Sequence, residues 1–440
     1  YLARINYGFK SRYSIDASWR TDGSSRFHPS DRWGHFWSVG ASWRISEEQF
    51  MENTRQWLDN LTLKVSYGVQ GNDNLGTYYA WQGLYDYTWP NATDAGAFVD
   101  KLENRKVTWE KNGNLNAGIE ATMFGGRLGV SVEYYTRKTR DMLLNSPLPI
   151  STGFTGFNDN VGSLRNQGLE VSLRGTILDK RDFRWDATLM GSFNRNKVLS
   201  LTGGQDVITS GIRVIEVGRP IYTFYLPKTA GVDPATGKQL YYAYWTQTVN
   251  DEGALVSTRC DEYITDNVAM ATLSKYYHES REPKLFGSIG STFTILKNID
   301  VSFLTTYSIG GWVYDGLYNG SMYVQYAGNN WHKNAKRRWQ KPGDKTDVPM
   351  LEVGGSYATA SNSLIDASYF AIKNITVGYT LPKRWLKKID IESLRIYATL
   401  DNIAMFNHMD GMDPQYNFTG SVAYSYTPSR VIAFGIDLNF

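Results

Sequence analysis

The side chains of this sequence that could do chemistry are scattered rather than clustered. Five histidines (His28, His35, His278, His332 and His408) show neither the HExxH spacing nor any pairing that would hold zinc. No Walker phosphate loop and no GxSxG nucleophile turn is present. Asn250-Asp-Glu-Gly253 has a faintly calcium-like composition but lacks alternating oxygen ligands and a terminal glutamate. No cofactor, no metal and no covalent reaction is therefore expected. What the sequence offers is recognition. Trp81, Tyr85, Tyr87 and Trp89 gather in one stretch, and Tyr241, Tyr242, Tyr244 and Trp245 in another. Flat rings with polar edges stack on sugars or grip peptide side chains, and they also pack loops together or against a partner. Trp81, Tyr85, Trp89, Tyr241, Tyr244 and Trp245 are the candidate substrate contacts. Lys336-Arg-Arg338 is the one dense basic run, read as a solvated loop or as a contact for lipopolysaccharide phosphates.

Something must hold these residues in place, and composition limits what it is. The chain has 440 residues, 14% of them aromatic and 41 of them glycine. Mean hydropathy is nevertheless negative. That combination fits a wall of strands in which every second residue meets lipid. The longest apolar run, Leu240 to Trp245, is six residues, too short for a membrane-crossing helix. A net charge of +3 gives no reason to expect nucleic acid. A single cysteine, Cys260, excludes a disulfide framework within the chain and leaves open a bond to another chain. The sequence opens at Tyr1 without an initiator methionine and reads as a mature or internal segment.

Period-2 alternation runs from end to end. In the final stretch Ile432, Phe434, Ile436, Leu438 and Phe440 alternate with Ala433, Gly435, Asp437 and Asn439. Leu61 to Gln70, Leu115 to Met123 and Leu169 to Ile177 repeat the pattern. About thirteen strands are expected, joined alternately by short turns and long loops. The large loops are placed at about 71–112, 195–283, 316–366 and 404–427. Such asymmetry predicts a transmembrane antiparallel β-barrel wall with short periplasmic turns, long extracellular loops and a periplasmic C-terminus. Lys64, Glu120, Glu133, Glu170 and Arg174 then face the lumen or a plug. An odd strand count leaves an open edge, which lipid does not tolerate, so further strands are expected from elsewhere.

Several segments, in order, resemble the SusC/RagA family of TonB-dependent outer-membrane transporters. They are Arg20-Thr-Asp-Gly-Ser-Ser-Arg-Phe27, Arg32-Trp-Gly34, Ser42-Trp-Arg-Ile-Ser-Glu47, Leu63-Lys-Val-Ser-Tyr-Gly68 and Gly71-Asn72. Thr108-Trp-Glu110, Asn114 to Glu120, Tyr134-Tyr135, Arg140-Asp141, Asn166-Gln-Gly-Leu-Glu170 and Val217-Gly-Arg-Pro-Ile-Tyr222 continue the series. Ala230-Gly-Val-Asp-Pro-Ala-Thr-Gly237, Lys373-Asn-Ile-Thr-Val-Gly-Tyr379 and the terminal Phe440 complete it. The resemblance implies a 22-stranded barrel with an N-terminal plug and TonB box, and a SusD-like surface lipoprotein as lid. This chain would supply the C-terminal barrel part, with plug and remaining strands on a separate chain or a missing segment. The implied function is import of an oligomeric nutrient, glycan or peptide, energised by TonB through the plug. Two other classes compete: a passive porin or surface scaffold, and a soluble β-rich carbohydrate-active enzyme needing a close carboxylate pair.

Overall fold

The computed structural model describes residues 1–440 except 202–205, 323–327, 329, 353–356, 388–390, 410–411, 416–418 and 423–425. Parts of the expected 195–283, 316–366 and 404–427 loops lie outside the described residues. One antiparallel sheet of thirteen strands, each paired with its neighbours in chain order, dominates the fold. Its strands are β1 Leu2–Phe9, β2 Tyr13–Gly23, β3 Trp33–Arg44, β4 Leu58–Asn72, β5 Glu110–Met123 and β6 Leu128–Arg140. They continue as β7 Ser163–Lys180, β8 Phe183–Ser200, β9 Leu285–Ile295, β10 Ile299–Ile309, β11 Tyr369–Thr380, β12 Ser393–Asn407 and β13 Val431–Asn439. Among the described residues, β1 and β13 each have a neighbour on one side only.

The short turns are built for strand twist. Lys10 and Ser11 take φ of 51° and 53°, and Leu296 and Lys297 take 51° and 64°, the left-handed pair a tight hairpin requires. Gly125 and Gly126 do the same between β5 and β6 without a Cβ penalty. The segment after β3 forms two 3-10 turns, Ile45–Glu47 and Gln49–Thr54. Long connections leave the opposite end of the sheet and carry small sheets of their own, such as the hairpin Gln239–Val249 with Leu255–Thr265.

Register decides which face each residue takes. Leu63, Ile119, Val132, Val171, Gly191 and Gly287 lie in one row of directly opposed residues across six strands. Ile375, Leu400 and Ile432 form a similar row at the far edge. Every member of these rows points to one side, which is continuous and apolar. Phe434 is 82% exposed and Ile436 68%. The other side carries Ser66, Gly118, Glu120, Ser131, Glu133 and Glu170.

The buried apolar clusters lie in and beneath the long connections, not between two packed sheets. One joins Phe27, Phe36, Ala80, Val107 and Trp109; a second joins Phe224, Leu226, Tyr314 and Leu364. A third joins Tyr241, Ala271, Ala358 and Ala360. A soluble sandwich would bury one face of the sheet. Here the apolar face is open, and the only medium that suits it is hydrocarbon.

Candidate functional site

Three zones on the polar side and in the loops hold the residues that could meet a ligand. The first is the wall itself. Lys64 Nζ lies 2.5 Å from Glu120 Oε2, and both side chains are about half exposed. Glu133 and Glu170 stand directly opposite each other on β6 and β7. Arg174 shares their face, opposite Gly129 and Thr188. The structure thus puts all five wall residues on the polar face of the sheet, with one like-charged pair among them. Opposed like charges cost free energy, so this pair favours a cation beside it.

The second zone is the aromatic loops, which the structure sorts into packed and open rings. Trp81 packs against the Phe27 cluster and lies edge-on to His28, with centroids 5.2 Å apart. Tyr85, Tyr87 and Trp89 lie on the hairpin Leu84–Asn91 with Asp94–Lys101 and are exposed, Trp89 meeting Phe98 edge-on at 5.8 Å. Asp86 orders the strand beside them: its carboxylate accepts from the Thr88 backbone N–H and hydroxyl, which hold its pKa below the usual carboxylate value.

In the larger loop the rings mostly pack. Tyr241 is only 1% exposed, and its hydroxyl accepts a hydrogen bond from the Ala358 N–H at 3.1 Å. Burial pushes its pKa up to about 12. Tyr244 is half-buried and donates to the Lys275 carbonyl at 2.5 Å, its pKa likewise raised by burial to about 12. Trp245 is half-buried, and its backbone N–H shares the Ser274 hydroxyl with that of Tyr244. Tyr242 lies under the Lys228 ammonium, 4.4 Å from ring centre to Nζ. Tyr241 has no open face in this conformation; Tyr85, Tyr87 and Trp89 do.

The third zone was not apparent from the sequence. A cavity of about 500 Å³ opens where β6–β11 meet the largest loop, lined by Tyr135, Asn166, Asn194, Asn196, Glu282 and Tyr369 among others. Burial pushes the Glu282 carboxyl up, opposed by the Asn196 N–H that donates to it at 3.1 Å. Asn196 also donates through Nδ2 to Asn166 Oδ1 at 2.7 Å and accepts from the Ile221 N–H at 2.8 Å. Gln415 Nε2 is buried there with no hydrogen-bond partner among the described residues. The motif Asn166-Gln-Gly-Leu-Glu170 marked one wall, but Glu282 sits in an irregular turn that no periodicity identifies. The basic run proves partly neutralised, Arg337 lying 3.2 Å from Asp347. No group of metal-ligating side chains occurs among the described residues.

The family model for TonB dependent receptor-like β-barrels matches residues 2–403. The TonB-dependent receptor SusC of Bacteroides thetaiotaomicron is 28% identical over the whole of this chain, which covers 43% of that protein. The TonB-dependent receptor P26 of Formosa agariphila is also 28% identical over the whole chain, with 46% of its own length covered. Among solved structures, that of the RagAB peptide transporter superposes with a TM-score of 0.83 at 29% identity, covering all of this chain and 47% of that one. The chain therefore spans about half the length of the relatives it matches. The relatives are receptors and transporters by name rather than enzymes. With an apolar outward face, a polar inward face and a family match over nearly its full length, the chain belongs to the TonB-dependent receptor-like β-barrel family of the outer membrane, and is of the SusC/RagA type.

Proposed function

We propose that this chain forms wall and external loops of an importer that moves an oligomeric nutrient, glycan or peptide, across the outer membrane. The observation that carries the reading is the two-sided sheet: one face whose central rows are apolar from strand to strand, and one face of hydroxyls, amides and charges. An apolar face seals into lipid, and a polar face suits a water-filled or plugged lumen. Further strands and a plug complete the wall, and TonB acting on the plug supplies the energy. The opposed pair Glu133 and Glu170 is a place for a plug cation. A SusD-like lipoprotein covers the loops, whose open rings Tyr85, Tyr87 and Trp89 meet substrate or that lid. The long loops then lie outside the cell and the short turns, with Phe440, in the periplasm. The match to a protein titled a peptide transporter and to SusC supports the class but not the choice between peptide and glycan.

The test is uptake. Cells carrying the full-length gene, cells with the gene deleted, and cells carrying the gene in a strain lacking TonB are given fluorescent oligopeptides and oligosaccharides in turn. Import of one class that needs both the gene and TonB is expected. Import that persists without TonB would establish the passive-porin reading instead.

A further inference from the structure

The outward face changes character abruptly at the loop end of four neighbouring strands. On β6 the outward series runs Val132, Tyr134, Thr136, Lys138, Arg140, and on β7 Val171, Leu169, Gln167, Arg165, Ser163. On β8 it runs Gly191, Phe193, Arg195, Lys197, and on β5 Ala117, Leu115, Gly113, Lys111. Register stacks the cations on one another. Lys138 is directly opposite Arg165, and Arg165 directly opposite Lys197. Arg140 is opposite Lys111. Six cations thus share one side of four adjacent strands, with directly opposed side chains about 5 Å apart at Cβ.

Their charge is nearly unopposed. Lys111 reaches Asp141 at 3.9 Å. Among the described residues, Lys138, Arg140, Arg165, Arg195 and Lys197 have no carboxylate within ion-pair distance. Among the inward residues of the same rows Arg137 carries the one charge, its Nε donating to Asn112 Oδ1 at 3.1 Å; the Thr139 hydroxyl donates to that same oxygen at 2.6 Å, and Asn196 donates to Asn166. Opposed like charges destabilise a sheet, and the directly opposed cations all lie on the outward side, so an anion is needed on that side.

Height and continuity identify the anion. Lys138 lies four residue steps beyond Tyr134, and at about 3.3 Å per step on a strand tilted about 40° that is roughly 10 Å along the membrane normal. Such a rise leads from the edge of the hydrocarbon into the headgroup layer. Directly below the cations lie Tyr134, Leu169 and Phe193, all exposed and apolar. We propose that this rim binds the phosphates of a phosphorylated lipid headgroup of the outer leaflet, whose acyl chains lie on the apolar rows beneath. An acidic partner protein would satisfy the cations but leave those rows unused. The proposal rests on the outward face being the lipid face.

The experiment uses the full-length transporter, purified from outer membrane in mild detergent and delipidated, with bisphosphorylated lipid A as probe in native mass spectrometry. The rim variant is Lys138→Gln/Arg165→Gln/Lys197→Gln, and the control is Lys336→Gln/Arg337→Gln/Arg338→Gln in the loop. Affinity of the rim variant should fall about tenfold or more, while that of the control stays within about twofold. Dephosphorylated lipid A should not distinguish the rim variant from the parent. Equal affinity of parent and rim variant overturns the proposal, as does equal loss in both variants. Displacement of the lipid by inorganic phosphate at equal concentration also overturns it, since a free anion would then suffice. Folding is checked by the heat-dependent gel shift of the barrel; if the triple variant fails it, Arg165→Gln alone should still cost about threefold. Uptake is read separately, so failure here leaves the import reading standing.

Discussion

The Tyr135 hydroxyl reaches across a whole strand to donate to Asn194 Oδ1 at 2.8 Å, passing over Gly168 on the strand between. A Cβ on Gly168 would lie 2.6 Å from that hydroxyl and would collide with the Phe193 carbonyl. The glycine of the Asn166-Gln-Gly-Leu-Glu170 motif is therefore a gap through which β6 is tied to β8, at the wall of the cavity that holds Glu282.

Gly168→Ala should destabilise the full-length barrel by about 1–3 kcal/mol, because backbone as well as ring must move. Tyr135→Phe removes only the hydrogen bond and should cost about 0.5–1.5 kcal/mol. Thermal unfolding in detergent, followed by the loss of heat-dependent gel mobility, separates the two. Equal stability of Gly168→Ala and the parent would show that the strands part without cost.

The two faces of the sheet predict opposite tolerance to charge. Ile119 lies in the outward row between Leu63 and Val132, whereas Ser66 lies inward opposite Gly40 and Asn116. Ile119→Arg should cost about 2–4 kcal/mol in a bilayer, and Ser66→Arg much less. Refolding into lipid vesicles at graded urea measures both. A larger cost at Ser66 would reverse the assignment of lipid and lumen faces.

The strands themselves were readable because lipid on one side and water on the other impose strict alternation. About thirteen wall strands are expected, and among the described residues the main sheet has thirteen. Strand ends were less readable, for a reason visible at β7. Alternation marks it from Leu169, yet it begins at Ser163. Beyond the membrane the pattern inverts: Leu164 and Val198 are buried on the inward side beneath the loops, while Arg165 and Lys197 point outward. An apolar residue there no longer means lipid. The loop aromatics posed a different problem. Whether Tyr241 is buried depends on Ala358, more than a hundred positions away, and no local spacing encodes that contact.

His278 gives the largest loop a pH dependence with a definite sign. Burial lowers its pKa below the ordinary 6.5, Lys228 adds to this, and the hydrogen bond to the Leu226 carbonyl opposes it. The folded loop therefore favours the neutral ring, and the unfolded chain binds more protons between the folded value and 6.5. Stability from this group is complete above pH 6.5 and is lost as pH falls through the lowered value. Amide exchange in 275–280 should quicken as pH falls from 7.5 to 5, after correction for intrinsic rates, and His278→Gln should flatten the trend. Glu282, whose carboxyl is pushed up by burial, works in the other direction, losing stability as pH rises above its ordinary 4.5. An upward trend with acidification that survives in His278→Gln would assign the effect elsewhere.

Packed and open rings should fail differently when removed. Tyr241 fills a cluster with Ala271, Ala358 and Ala360, so Tyr241→Ala opens a cavity and strands the Ala358 N–H without its acceptor. That should cost the loop about 3–5 kcal/mol and expose 201–284 to protease in the intact transporter. Trp89 meets Phe98 edge-on, hydrogen-bonds the Asp86 carboxylate and is 65% exposed, so Trp89→Ala should leave the protease resistance of the larger loop unchanged. Its effect should appear in uptake, as a half-saturation concentration raised about threefold to thirtyfold with the maximal rate preserved. Two measurements on two variants decide the matter. If Trp89→Ala alters protease resistance but not uptake, the open hairpin is loop packing, and the recognising surface lies in the Glu282 cavity instead.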